Sequence, residues 1–240
     1  MAVTTTFAIA TSSTSNTTSY ASGAFTPAAG DLLLVFAMAG ATTAAASMTD
    51  SQSLGFTKVG SAVASTSTDT MYCFVSNKFA AASSMTVTFD CTGDAADGCV
   101  IIVFRLAGMT RSGEGAVRQT AKQDNQAASG TPAPAFAVAA LTGNPTYGGI
   151  MNSSNPAAMT PPTSWTENAS ADTGYNTPTT GAEAVYRDSG FTGTTITWGG
   201  TSATAFCSLI IEMRADAKTQ IEDDSRVSGG VMRGVMRGMR

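Results

Sequence analysis

The chain contains no histidine. That absence removes the imidazole base of a Ser-His-Asp triad or a Cys-His dyad, and every metal site that uses His. The four cysteines, Cys73, Cys91, Cys99 and Cys207, include no C-x-x-C pair, so the spacing of a structural zinc site is missing as well. No G-x-x-x-x-G-K-[ST] phosphate loop occurs, and the glycine pairs fall in turn-like stretches rather than between a strand and a helix. No cofactor is implied. Charged residues are also scarce, at 12% of the chain against about 25% in an ordinary globular domain; Ser, Thr, Ala and Gly take their place. So few charges defend a surface poorly against association. The composition suits a subunit whose faces are covered by copies of itself or by neighbours. It also suits an extracellular β protein with a Ser/Thr-rich surface.

The formal net charge of −4 argues against nucleic acid as a partner. The longest apolar run near the start, Leu32 to Ala39, is too short to cross a bilayer as a helix. The opening residues Met1-Ala2-Val3-Thr4-Thr5-Thr6 lack the basic and apolar regions of a secretory signal. The expectation is therefore synthesis in a cytoplasm without export, no membrane, and free thiols. Cys91 and Cys99 flank a turn-rich stretch, so a bridge between them stays open as an alternative.

What is present is strand signal. Phe7 and Ile9 alternate with small residues; Leu32–Met38, Met71–Val75 and Cys99–Leu106 are continuous apolar runs; Met85, Val87 and Phe89 alternate with Thr86 and Thr88. A second set follows at Phe136–Val138, Tyr147–Met151, Glu183–Arg187, Thr194–Trp198 and Phe206–Met213. The two sets echo each other. Met48-Thr49-Asp50, Gly55-Phe56-Thr57-Lys58 and Thr86-Val87-Thr88-Phe89 correspond to Met159-Thr160-Pro161, Ser164-Trp165-Thr166-Glu167 and Thr195-Ile196-Thr197-Trp198. Phe56 to Phe89 and Trp165 to Trp198 are each separated by 33 residues, and a Cys-led apolar run closes each set. A duplicated unit of this kind points to architecture and assembly.

The expected fold is all-β: a sandwich or jelly roll of two sequence-related halves, with a C-terminal Met/Arg/Gly arm. Residues 1–110 form the first half and 135–214 the second. Residues 111–134, polar and closed by Pro132 and Pro134, connect them, and 215–240 form the arm. Leu32–Met38 and Val100–Phe104 are apolar on both faces and need two covers, supplied by the other half or by a neighbouring subunit. On that ground the chain is expected to oligomerise. In the arm, Val231, Met232, Val235, Met236 and Met239 supply apolar contacts. Arg233, Arg237 and Arg240 supply charge-assisted hydrogen bonds, so the segment suits docking on another subunit.

Candidate chemistry is thin. Glu167, Asp172, Glu183 and Asp188 share one half, but nothing in their spacing places two across a cleft as glycoside hydrolysis requires. Asp94 and Asp97 lack the dense oxygen ligands of a calcium loop. Catalytic, cofactor and metal residues are therefore not assigned. Trp165, Trp198, Tyr147, Tyr175 and Tyr186 could stack on a sugar, yet Trp165 and Trp198 sit at the repeat positions of Phe56 and Phe89 and read as core. Tyr175, in a Gly- and Asn-flanked loop, is the candidate ligand contact.

Gly30–Phe36, Gly98–Phe104, Pro161–Glu167 and Gly193–Trp198 together resemble β-sandwich structural proteins of tailed bacteriophages, over roughly residues 1–214. The resemblance implies a virion component: a capsid decoration (cement) protein, a head fibre or a tail-associated subunit, partnered by itself, with a trimer as the leading case, and by other virion proteins. The alternative is a module that binds host-surface glycan through Tyr175.

Overall fold

The structure is a computed structural model that describes residues 2–40, 45–63, 69–91, 96–125, 130–152, 160–168, 173–175, 180–199 and 205–215. Within them the chain forms strands β1 (Thr4–Ser13), β2 (Ser19–Ala21), β3 (Leu32–Ala39), β4 (Ser47–Asp50), β5 (Phe56–Val63), β6 (Thr70–Ser76), β7 (Val87–Asp90) and β8 (Cys99–Ala107). A 3-10 turn (Gly113–Ala116) leads into β9 (Val117–Asn125), β10 (Thr146–Asn152), β11 (Thr166–Glu167), β12 (Thr173–Tyr175), β13 (Thr180–Arg187) and β14 (Phe206–Met213). No α-helix occurs among the described residues. All pairing is antiparallel. One large sheet has the order β1-β8-β3-β6-β5, a second has β11-β13-β10-β14-β9 with β12 also on β13, and a small sheet has β2-β7-β4.

The fold is sandwich-like, and β3 shows why. Its residues alternate between two cores. Leu32, Leu34, Phe36 and Met38 join Val100, Ile102 and Phe104 of β8 in a layer shared with Tyr147, Met151, Cys207, Leu209 and Ile211 of the second sheet. Leu33, Val35, Ala37 and Ala39 face the other way, into a core with Met48, Val87, Phe89 and Cys91 of the small-sheet layer. A third core lies on the far side of the second sheet, where Ile150, Val185 and Ile210 meet Phe136, Ala140, Ile196 and Trp198. A strand flanked on both sides and covered on both faces must be apolar throughout, and every residue of β3 is buried.

Both faces of β3 and β8 are thus covered from within the chain: the second half supplies one cover and the small sheet the other. These strands therefore offer no open apolar face to a neighbouring subunit, which corrects the ground given for oligomers and leaves oligomerisation itself a proposal. A second correction concerns residues 111–134. Residues 117–125 had been read as part of a connection, but they form β9, which pairs along β14 from Phe206↔Asn125 to Met213↔Val117. The prolines do lie outside a named strand. Even so, Trp198 N–H donates to Pro132 O (3.0 Å) and Ile196 N–H to Pro134 O (3.1 Å), so that stretch carries part of the outer cover.

Phe89 and Trp198 are both buried, with Trp198 1% exposed; Phe56 and Trp165 are half-buried. β10 reaches burial by a different route from β3. A Cβ on Gly148 would stand 2.6 Å from the Trp198 ring on one face, and a Cβ on Gly149 would stand 2.8 Å from the Phe36 ring on the other. The glycine pair therefore lets aromatic rings from both covers reach the backbone.

Candidate functional site

Glu212 stands in the apolar run Leu209-Ile210-Ile211-Glu212-Met213 of β14, and all five residues are buried. A carboxylate there needs partners. Arg118 Nη1 and Gln119 Nε2 each donate to Oε2 at 2.5 Å. Leu141 N–H (2.9 Å) and Asn144 Nδ2 (2.6 Å) donate to Oε1. Both oxygens are thus engaged by donors, one of them a guanidinium, which makes the buried charge tolerable.

The same donors reach further. Arg118 also donates to Ala139 O and Gln119 to Val138 O. Asn144 Oδ1 accepts from Ala215 N–H at 3.0 Å, where the described chain ends. One carboxylate thereby ties β14, β9, residues 138–144 and the departure of the C-terminal segment.

Glu183 of β13 serves the same outer cover: its Oε1 accepts from Trp198 Nε1 at 3.1 Å. Asp188 Oδ1 accepts from Thr5 N–H at 3.0 Å, joining the two large sheets. Asp50 accepts from the backbone N–H groups of Gln52, Leu54 and Gly55, building the turn before β5. Asp97 accepts from Asn16 Nδ2 at 2.7 Å. Among the described residues no three His, Cys, Asp or Glu side chains gather as metal ligands. A polar cleft of about 280 Å³ lies between β5, the 3-10 turn and β9, and its lining includes Lys58, Glu114, Arg118 and Thr120. Its arginine is already held by Glu212.

The aromatic side chains do not gather into one surface. Tyr147 is buried, and its hydroxyl shares a 2.7 Å hydrogen bond with the Thr5 hydroxyl. Tyr186 packs edge-on against Phe104, and Trp165 edge-on against Phe191. The backbone of Tyr175 belongs to β12 and pairs with Thr180, while its side chain lies outside what the structure describes. Asp94, Asp172 and the whole arm, Val231 to Arg240, also lie outside the described residues.

All four thiols are free and buried. Burial raises the pKa of Cys73, Cys99 and Cys207 above the usual thiol range, which keeps them protonated and unreactive as nucleophiles. Burial likewise pushes the Tyr147 phenol up, partly offset by the Thr5 hydrogen bond.

Sequence reading passed over the Glu212 hub. Its signal was present: a lone acid inside an apolar strand demands buried donors. What could not be read was which donors, because Arg118 and Gln119 sat in a segment that looked like a linker. Comparison with family models, with curated proteins and with solved structures finds no match for this chain.

Proposed function

We propose that the chain is a structural protein of a tailed-phage particle, a capsid decoration (cement) protein or another particle-associated subunit, made by duplication of one β unit and acting through protein–protein assembly. The observation that carries this reading is the use of the acids. Asp31, Asp50, Asp97, Asp188, Glu183 and Glu212 all accept hydrogen bonds from the chain's own backbone or side chains. A protein with few charges that uses them to hold its own layers together is built as a scaffold.

Strand order supports the duplication. Taken in chain order, β1, β3, β5, β6 and β8 lie in the first large sheet as first, fifth, second, fourth, third. The second sheet has the same order for β9, β10, β11, β13 and β14. Each large sheet also carries an outer layer that includes the buried aromatic of its repeat, Phe89 in one and Trp198 in the other. In this reading the arm, residues 227–240, leaves the body beyond Ala215 and docks on another virion subunit.

The test is fractionation of lysate from the native source through a density gradient, probed with antibody to the β body. The reading expects the chain to co-sediment with particles at fixed stoichiometry, and a chain lacking residues 227–240 to stay folded but lose particle occupancy. Recovery of the full chain only from the soluble fraction would refute it.

A further inference from the structure

The two large sheets end in four margins, and three of them carry devices that block strand addition. β9 bears Arg118, Lys122 and Asp124, the last two joined at 2.6 Å. β5 carries Lys58 and lies against β9. The margin beyond β13 is filled by β11 and β12, of two and three residues. The fourth margin is β1, ten residues long, Thr-Thr-Thr-Phe-Ala-Ile-Ala-Thr-Ser-Ser. It holds no charge, no proline and no glycine. Among the described residues no strand pairs with it on the side away from β8.

A second observation is independent of charge. Phe7, Ala8, Ile9 and Ala10 are only half-buried, while their β8 neighbours Phe104, Val103 and Ile102 are fully buried. Phe7 and Ala10 lean on one core, Ala8 and Ile9 on the other. With both faces half-covered, a cover on one face cannot finish the job; a strand laid alongside covers both at once.

We propose that β1 is a homodimer edge: it pairs antiparallel with β1 of a second copy across a twofold axis, extending the sheet through two chains. The occupant is a second copy because the uncharged β1 can lie against its own copy without the like-charge repulsion that guards the other margins. An antiparallel β1–β1 pair opposes Thr, Ser, Ala and Phe with no like charges facing, which is the cost that keeps charged edges apart. The Thr5 N–H is already taken by Asp188, which leaves residues 6–13 for the pairing. A strand pair of that length covers less than the roughly 800 Å² per partner of a standard stable interface, so the dimer forms in a concentration-dependent way. The proposal names a partner surface for the assembly reading above. Its test reads association of the isolated chain, so it can fail while particle association holds.

Sedimentation velocity of the full-length chain over a range of concentrations provides the test. Thr6 and Ser12 have exposed side chains, so Thr6→Lys/Ser12→Lys and Thr6→Glu/Ser12→Glu leave the body folded, as thermal unfolding will verify. Wild type is expected as a monomer–dimer equilibrium. Each double variant is expected to raise the dimer dissociation constant about tenfold or more, because charge on an edge strand opposes strand addition. Thr120→Lys on the β9 margin should dimerise like wild type. Wild type that stays monomeric throughout or closes as a trimer would overturn the proposal. So would a lysine or glutamate variant that dimerises as well as wild type, or a dimer lost in Thr120→Lys. Should a double variant unfold, single Ser12→Lys and Ser12→Glu give the same reading.

Discussion

The centre of the first large sheet and the centre of the second are both buried on two faces, and they reach that state by different chemistry. β3 and β8 do it with branched and aromatic side chains beneath a regular outer sheet, β2-β7-β4, whose ladder pairs much of its backbone. β10 and β14 do it with Gly148, Gly149, Ser208 and Glu212 beneath a less regular layer in which Ala135↔Thr195 and Thr160↔Gly199 are isolated bridges. Among the described residues this cover has little ladder of its own, so the sheet below helps to hold it. Glu212 takes the N–H of Leu141 and the amide of Asn144, and Glu183 takes the indole N–H of Trp198. The lesson is that buried acids can stand in for missing strand pairing, provided their oxygens meet enough donors.

The comparison breaks first at the aromatic plugs. Trp198→Ala should destabilise the body by about 3–5 kcal/mol, and Phe89→Ala by a similar amount, in denaturant unfolding. A loss for Trp198 well below that for Phe89 would mean that the irregular cover contributes little. Next comes the tie. Glu212→Ala leaves buried donors unmatched and should cost about 3 kcal/mol, the low end for a broken buried pair because Arg118 can reach water. Arg118→Ala combined with it should cost less than the sum of the singles. Additive losses would show that the hub is not one unit. Smaller again is the glycine contrast. Gly149→Ala should cost about 1–3 kcal/mol through overpacking against Phe36 and Met71. Gly143→Ala, with nothing within 4 Å of its Cβ position, should stay within about 0.5 kcal/mol.

The last prediction has no effect at neutral pH. The thiols of Cys73, Cys99 and Cys207 and the phenols of Tyr20 and Tyr147 have folded pKa values raised by burial. Between the unfolded and folded values the unfolded chain binds fewer protons, so stability falls as pH rises. It should be flat below the ordinary thiol value near 9.0 and decline above it, more steeply past the phenol value near 10.0. Unfolding midpoints that hold steady through that range would mean these groups reach solvent in the folded state.

Much of the architecture was legible beforehand. Apolar runs and alternation placed β3, β6, β8, β10 and β14, and the reading of Phe89 and Trp198 as core holds, while Phe56 and Trp165, read as core beside them, are only half-buried. β9 was missed because Val117-Arg118-Gln119-Thr120-Ala121-Lys122-Gln123-Asp124-Asn125 has no apolar period. An edge strand that faces a polar hub needs none, and its strand character comes from the ladder with β14. The side chain of the candidate ligand contact Tyr175 and the Met/Arg arm fall outside what the structure describes, so their expected contacts stand only as proposals.

Local chemistry, then, determined from sequence alone that this chain is made of strands, that β3 and β8 must be covered on both faces, and that Phe89 and Trp198 lie inside, because side-chain period and apolar runs act over a few residues. Only the tertiary structure decided what does the covering. It covered β3 and β8 from within the chain where the sequence left that cover open to a neighbouring subunit, made a linker into a sheet margin, and gave Glu212 its partners. Those outcomes depend on pairings such as Met213 with Val117 and contacts such as Phe36 over Gly149. Segments so far apart in the chain meet only when the sheets stack, and no local pattern encodes which of several possible covers wins.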